Sequence, residues 1–118
     1  MNLDHIRSFC HSLPFVSEEF PFNQTTLVFK VGGKMFVLVD IYQAERITLK
    51  SSPSEVEELT ERYEWITRGF HMNKTHWLTL DLSSLHASQS MVENLMLTSY
   101  NLVYQGLTKK TRQELENR

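Results

Sequence analysis

The sequence predicts an α+β domain, and three observations carry that expectation. Leu27-Val28-Phe29-Lys30-Val31 and Lys34-Met35-Phe36-Val37-Leu38-Val39 are strand-like runs joined by Gly32-Gly33, the pair that a two-residue hairpin turn requires. Arg46-Ile47-Thr48-Leu49-Lys50 and Trp77-Leu78-Thr79-Leu80-Asp81-Leu82 alternate with the period of a half-buried strand. Two further stretches, residues 3–12 and 88–105, repeat apolar side chains at helical spacing.

Taken in order, Leu3, Ile6, Phe9, Cys10 and Leu13 make the stripe of a first helix that ends at Leu13-Pro14, with Asp4 in the first turn favouring its dipole. Cys10 lies on that stripe and reads as a small core residue. Val16 to Phe20 form a short strand broken at Pro21. In the hairpin, Val31 is expected opposite Lys34 and Phe29 opposite Phe36. That register puts Leu27, Phe29, Val31, Phe36 and Leu38 on one face and Val28, Lys30, Met35, Val37 and Val39 on the other. Both faces are largely apolar, so one covers the helices and the other is covered too or serves as an interface. In the next strand Ile47 and Leu49 point inward, leaving Arg46, Thr48 and Lys50 outward.

Ser52-Pro53-Ser54-Glu55 starts a second helix, with Ser52 as N-cap, Pro53 at the first position and Glu55 closing a capping box. Val56, Leu59 and Tyr63 form its buried stripe. Trp65 to Arg68 make another short strand turned at Gly69, and in the following strand Leu78, Leu80 and Leu82 are inside while Trp77, Thr79 and Asp81 share the opposite face. The long helix from Ser88 to Gln105 buries Val92, Leu95, Met96, Ser99, Tyr100 and Val103 and stops at Gly106. Thr108 caps a last short helix that carries Lys109, Lys110 and Arg112.

Composition bounds the function. A chain of 118 residues is one domain, long enough for an ordinary core. Twelve Lys and Arg against fourteen Asp and Glu give a net charge of −2, which argues against indiscriminate coating of nucleic acid. The charge is segregated, however. Glu55, Glu57, Glu58, Glu61 and Glu64 crowd the second helix, while Lys30, Lys34, Arg46 and Lys50 are interrupted only by Asp40 and Glu45. One cysteine excludes an intrachain disulfide and suits a reducing, cytoplasmic setting. The N-terminus has no basic and apolar leader pattern, and no apolar run approaches the ~20 residues that span a bilayer, so no membrane partner is expected.

The stretch from Arg68 to Asp81 concentrates chemistry: Arg68, His71, Asn73, Lys74 and His76 stand beside the aromatics Phe70 and Trp77. Taken with Phe20-Pro21-Phe22, the run Thr26 to Phe36 around Gly32-Gly33, Gly69-Phe70-His71-Met72-Asn73-Lys74 with His76-Trp77, and Ser99-Tyr100-Asn101-Leu102-Val103, it makes the sequence resemble the bacterial MmcQ/YjbR family over nearly its whole length. The resemblance implies a CyaY-like (frataxin-like) two-layer sandwich, with an antiparallel sheet backed by the first and the long helix. It also implies DNA binding through a double wing of hairpins.

For that role the candidate contacts are Lys30, Lys34, Arg46, Lys50, Arg68 and Lys74 to phosphate, Asn73 to a base edge, and Trp77 as a stacking platform. His71 and His76 would add charge below neutral pH. A second class is a protein-interaction or ligand-binding module, in its simplest form a homodimer through the Val28/Met35/Val37 face. A third is a histidine-containing enzyme or metal site, in which His71 and His76 converge with Asp81. No nucleophile motif, metal-ligand spacing or glycine-rich phosphate loop supports the third class, so no catalytic residue, metal or cofactor is expected.

Overall fold

The computed structural model describes residues 1–43, 45–69 and 72–118. Among them are four helices, α1 (Leu3–His11), α2 (Pro53–Arg62), α3 (Gln89–Gln105) and α4 (Lys109–Glu116). Six strands accompany them: β1 (Val16–Glu19), β2 (Thr26–Val31), β3 (Lys34–Asp40), β4 (Arg46–Lys50), β5 (Ile66–Arg68) and β6 (Trp77–Asp81). The strands form one antiparallel sheet in the order β1-β2-β3-β4-β6-β5. The fold is therefore α+β, and no helix among the described residues is long and apolar enough to cross a membrane.

Short polar side chains start every helix by accepting an otherwise unpaired amide. Asn2 accepts from His5 N–H, Ser52 from Glu55, Ser88 from Met91 and Thr108 from Thr111. The capping box expected at Ser52 is half made. Ser52 takes the Glu55 amide at 3.3 Å, but the Glu55 carboxylate accepts from Ser51 Oγ at 2.8 Å.

One sheet face carries the main core. Leu27, Phe29, Val31, Val37, Val39, Ile47, Leu49, Leu78 and Leu80 pack with Ile6 and Cys10 of α1, Val56 of α2, and Val92, Met96 and Val103 of α3. Burial pushes the Cys10 thiol up to about 12, with the nearby Glu18 charge acting in the same direction, so it stays a neutral core residue. The six α3 residues expected inside are all buried.

The hairpin register differs from the one expected. Val31 does pair with Lys34, but Phe29 pairs with Val37 and Lys30 with Met35, so Phe36 is an extra residue in β3. Such a bulge reverses the side-chain alternation beyond it. Val37 and Val39 consequently enter the core, and Leu38 moves to the opposite face beside Val28. Ser99 of α3 holds the bulge: its hydroxyl donates to the Phe36 carbonyl at 2.6 Å and accepts the Lys50 N–H at 2.8 Å.

Between α1 and β1, Glu18 accepts from Arg7 at 2.9 Å and faces His11 Nε2 at 2.6 Å. Partial burial alone would raise the Glu18 carboxyl, but the hydrogen bonds from His11 and Arg7 and their charges bring it below the ordinary carboxylate value. A depressed folded-state carboxyl stabilises the fold above its unfolded value, about 4.3, and that contribution is lost as pH falls through the lower folded value. Glu18→Gln should therefore cost about 1 kcal/mol at pH 7, and the gap from wild type should close in urea melts repeated toward pH 3. An equal gap at both pH values would refute the assignment.

Candidate functional site

Away from the helices, the open sheet face is built from three transverse rows. The central row runs Glu19, Val28, Leu38, Thr48, Thr79, Thr67, each paired with the next. Toward the β2–β3 turn lie the pairs Lys30–Met35 and Lys50–Trp77. At the other end stand the pairs Thr26–Asp40 and Arg46–Asp81.

The face is already partly filled. Val28, Leu38 and Trp77 are buried in a second small cluster, with Met35 and Met72 packed against it. The bulge has moved Val37 to the core, and the side chain of Met72, from the segment between β5 and β6, covers part of what remains. The exposed Val28/Met35/Val37 patch that would have motivated a homodimer is therefore absent: Val28 and Val37 are both fully buried.

The segment after β5 is tied at both ends. Gly69 N–H donates to the Trp77 carbonyl at 2.7 Å, the Arg68 guanidinium to the Lys74 carbonyl at 3.1 Å, and Ser51 N–H to the His76 carbonyl at 2.8 Å. Asn73 spends its side-chain oxygen on the Thr75 amide at 2.8 Å, so that acceptor is occupied within the turn. Trp77 retains only 9% of its surface, too little for a base to stack on. Lys74 and His76 are exposed, and His71 lies outside the described residues.

The remaining cations divide into two groups. Lys30 is neutralised by Glu19 across the β1–β2 pair. Arg46 faces Asp81, whose carboxyl is lowered chiefly by Ser83 hydrogen bonds, with the Arg46 charge adding to them. Arg46, Arg68 and Lys74 do line one cleft on this face, but Glu45, Glu64 and Asp81 line it too. Its charge is balanced, which does not select a polyanion.

Lys34 and Lys50 have no carboxylate partner among the described residues, and the antiparallel pairing puts both at the end of the sheet where β2 turns into β3. The turn does not project as a free wing. Gly32 and Gly33 both have positive φ, and a Cβ on Gly32 would meet Leu107 at 2.6 Å and Thr111 at 3.3 Å. The tip is thus seated on the start of α4. That contact brings in Lys109 and Lys110, exposed residues that the sequence shows only as charges on a last helix. Their proximity to Lys34 depends on a contact between segments about seventy positions apart, which no local pattern encodes.

Of the histidine and aspartate set considered for a metal, His76 and Asp81 do not converge. His76 precedes β6 and Asp81 ends it, which separates them by roughly 16 Å along an extended strand. Among the described residues, no group of three His, Cys, Asp or Glu side chains could hold an ion.

Comparison with known proteins gives a consistent result. The YjbR family model matches residues 11–102. The uncharacterized protein YbdF of Escherichia coli O157:H7 is 36% identical over 104 residues, covering 87% of this chain and 84% of the relative. Protein DR2400 of Deinococcus radiodurans, a DUF419 domain, superposes with a TM-score of 0.90 at 40% identity over 98% of this chain and 88% of its own. A Pseudomonas syringae protein matches at a TM-score of 0.74 and 23% identity, over 87% of this chain and 99% of its own, which bears on the fold alone.

Proposed function

Because the chain belongs to the YjbR family, we propose that it binds DNA, with its contacts at the basic end of the sheet. The supporting observation is that Lys34, Lys50, Lys109 and Lys110 come from three separate segments, and none has a carboxylate partner among the described residues. The glutamate ridge belongs to α2, a different element from those that carry these lysines. Phosphate oxygens would meet lysine ammonium groups that need not first give up an internal partner, the condition under which counterion release drives binding. The double wing becomes a single docked tip supported by α4, and Lys30, Asn73 and Trp77 act in the fold rather than in contact with DNA.

The test is anisotropy with a labelled random duplex at several salt concentrations. Three or four phosphate contacts give a log–log slope of roughly −3 to −4. The Lys34→Glu/Lys50→Glu double variant should lower affinity at least about tenfold and flatten the slope by roughly 2. Lys30→Gln should change little, because its charge is already offset by Glu19. Unchanged duplex affinity in the double variant overturns the reading.

A further inference from the structure

Opposite the basic end, the loops between β1 and β2 and between β3 and β4 frame a cleft of about 390 Å³, within the size range of small-ligand sites. Leu38 and Met72 line it with apolar surface, and the Phe22 ring, 63% exposed, borders it. The two loops are joined by the Ile41 N–H donating to the Thr25 carbonyl at 2.9 Å, so the border is tied down.

Polar atoms around the cleft have unused valence. Asn23 Oδ1 already accepts from the amides of Thr25 and Thr26 and from Thr25 Oγ1, which leaves its amide nitrogen as a donor. Asp40 Oδ1 accepts from the amides of Tyr42 and Gln43, which leaves its second oxygen as an acceptor. The Gln43 side-chain amide offers both kinds of group. Among the described residues, none of these three remaining groups has a partner.

We propose that this cleft takes one unpaired nucleobase, stacked on Phe22 and read along its edge by Asn23, Asp40 and Gln43. A planar ring suits a border of exposed aromatic surface and a floor of aliphatic and thioether groups. An edge with neighbouring donors and acceptors complements a donor, an acceptor and an amide, and a simple hydrocarbon ring cannot satisfy them. Arg46 borders the cleft as well as Asp40, so the rim carries one charge of each sign and suits a neutral ring with a polar edge better than a bare phosphate. The inference rests on the nucleic-acid reading for a strand as the source of the base. A free nucleoside offers the same ring and edge.

The experiment measures binding of a single-stranded oligonucleotide containing 2-aminopurine, of a duplex, and of free adenosine and thymidine, to wild type and to Phe22→Ala. Phe22 is mostly exposed, so the variant should fold, and a thermal melt checks that. Phe22→Ala should weaken the single strand on the order of tenfold and leave the duplex unchanged. Asp40→Asn keeps the loop acceptor but turns the free oxygen into a donor, so it should change the relative affinity for adenosine and thymidine. Equal single-strand affinity in wild type and Phe22→Ala overturns the cleft, whatever the duplex does. Duplex binding that survives this result leaves the DNA reading standing. Nucleoside binding that depends on Phe22, without binding of either oligonucleotide, supports the cleft and removes the DNA reading. Binding of none of the four probes removes both.

Discussion

Ser99→Ala should lower the melting temperature by roughly 10 °C, a large effect for the loss of one oxygen atom. The hydroxyl is fully buried and serves two backbone groups from different strands, the Phe36 carbonyl and the Lys50 amide. Removing it leaves both without that partner, at about 1–3 kcal/mol for each buried polar group. For a chain of this length each kcal/mol shifts the midpoint by about 4 °C. The small cavity adds to the loss, while the better helix propensity of alanine returns only a few tenths of a kcal/mol. Ser90→Ala, at an exposed position in the first turn of the same helix, is the control and should be nearly silent. Hydrogen exchange gives an independent readout: the Lys50 amide should lose protection in Ser99→Ala. A midpoint within about 2 °C of wild type, with Lys50 still protected, would show that the bulge does not depend on this hydroxyl.

Ser99 also marks where the sequence stops being legible. Its place on the buried stripe of α3 follows from helical spacing, as do the stripes of α1 and α2. The hairpin follows from Gly32-Gly33, and the inward set Ile47, Leu49, Leu78 and Leu80 follows from simple alternation. The bulge at Phe36 does not. Its support comes from a side chain 63 positions away, so the local pattern favoured the unbulged register and sent Val37 and Val39 to the wrong face. The reversal takes Val37 off the open face, and Val28 is closed over separately by the cluster against which Met72 packs.

The charges were legible as a list but not as an arrangement. Lys30 and Lys34 look equivalent beside the glycine pair, yet the pairing of β1 with β2 brings Glu19 to Lys30 and no acid to Lys34. Phe22 carried the family resemblance in sequence without a role, and its position at a cleft depends on two loops meeting. Trp77 illustrates the reverse error. Alternation places it on the open face of its strand, but that face is not exposed there, because Met72 packs against its cluster.

Gly69→Ala is expected to be nearly as damaging as Ser99→Ala, through sterics rather than hydrogen bonding. A Cβ at this position would lie 2.6 Å from Trp77 Cβ and 3.2 Å from the Trp77 carbonyl carbon and oxygen. Backbone cannot swing aside as the end of a flexible side chain can, so β5 and β6 must separate at the point where Gly69 N–H donates to the Trp77 carbonyl. The cost should be about 1–3 kcal/mol, or a midpoint lowered by roughly 4–12 °C. The displacement also has a local consequence, because Trp77 is buried with Val28 and Leu38 and the neighbouring Arg68 clips the Lys74 carbonyl. Tryptophan emission should shift to the red as Trp77 gains water. Normal stability together with unshifted emission would mean that the β5–β6 connection can absorb a methyl group, and the close approach would then not explain why glycine is needed there.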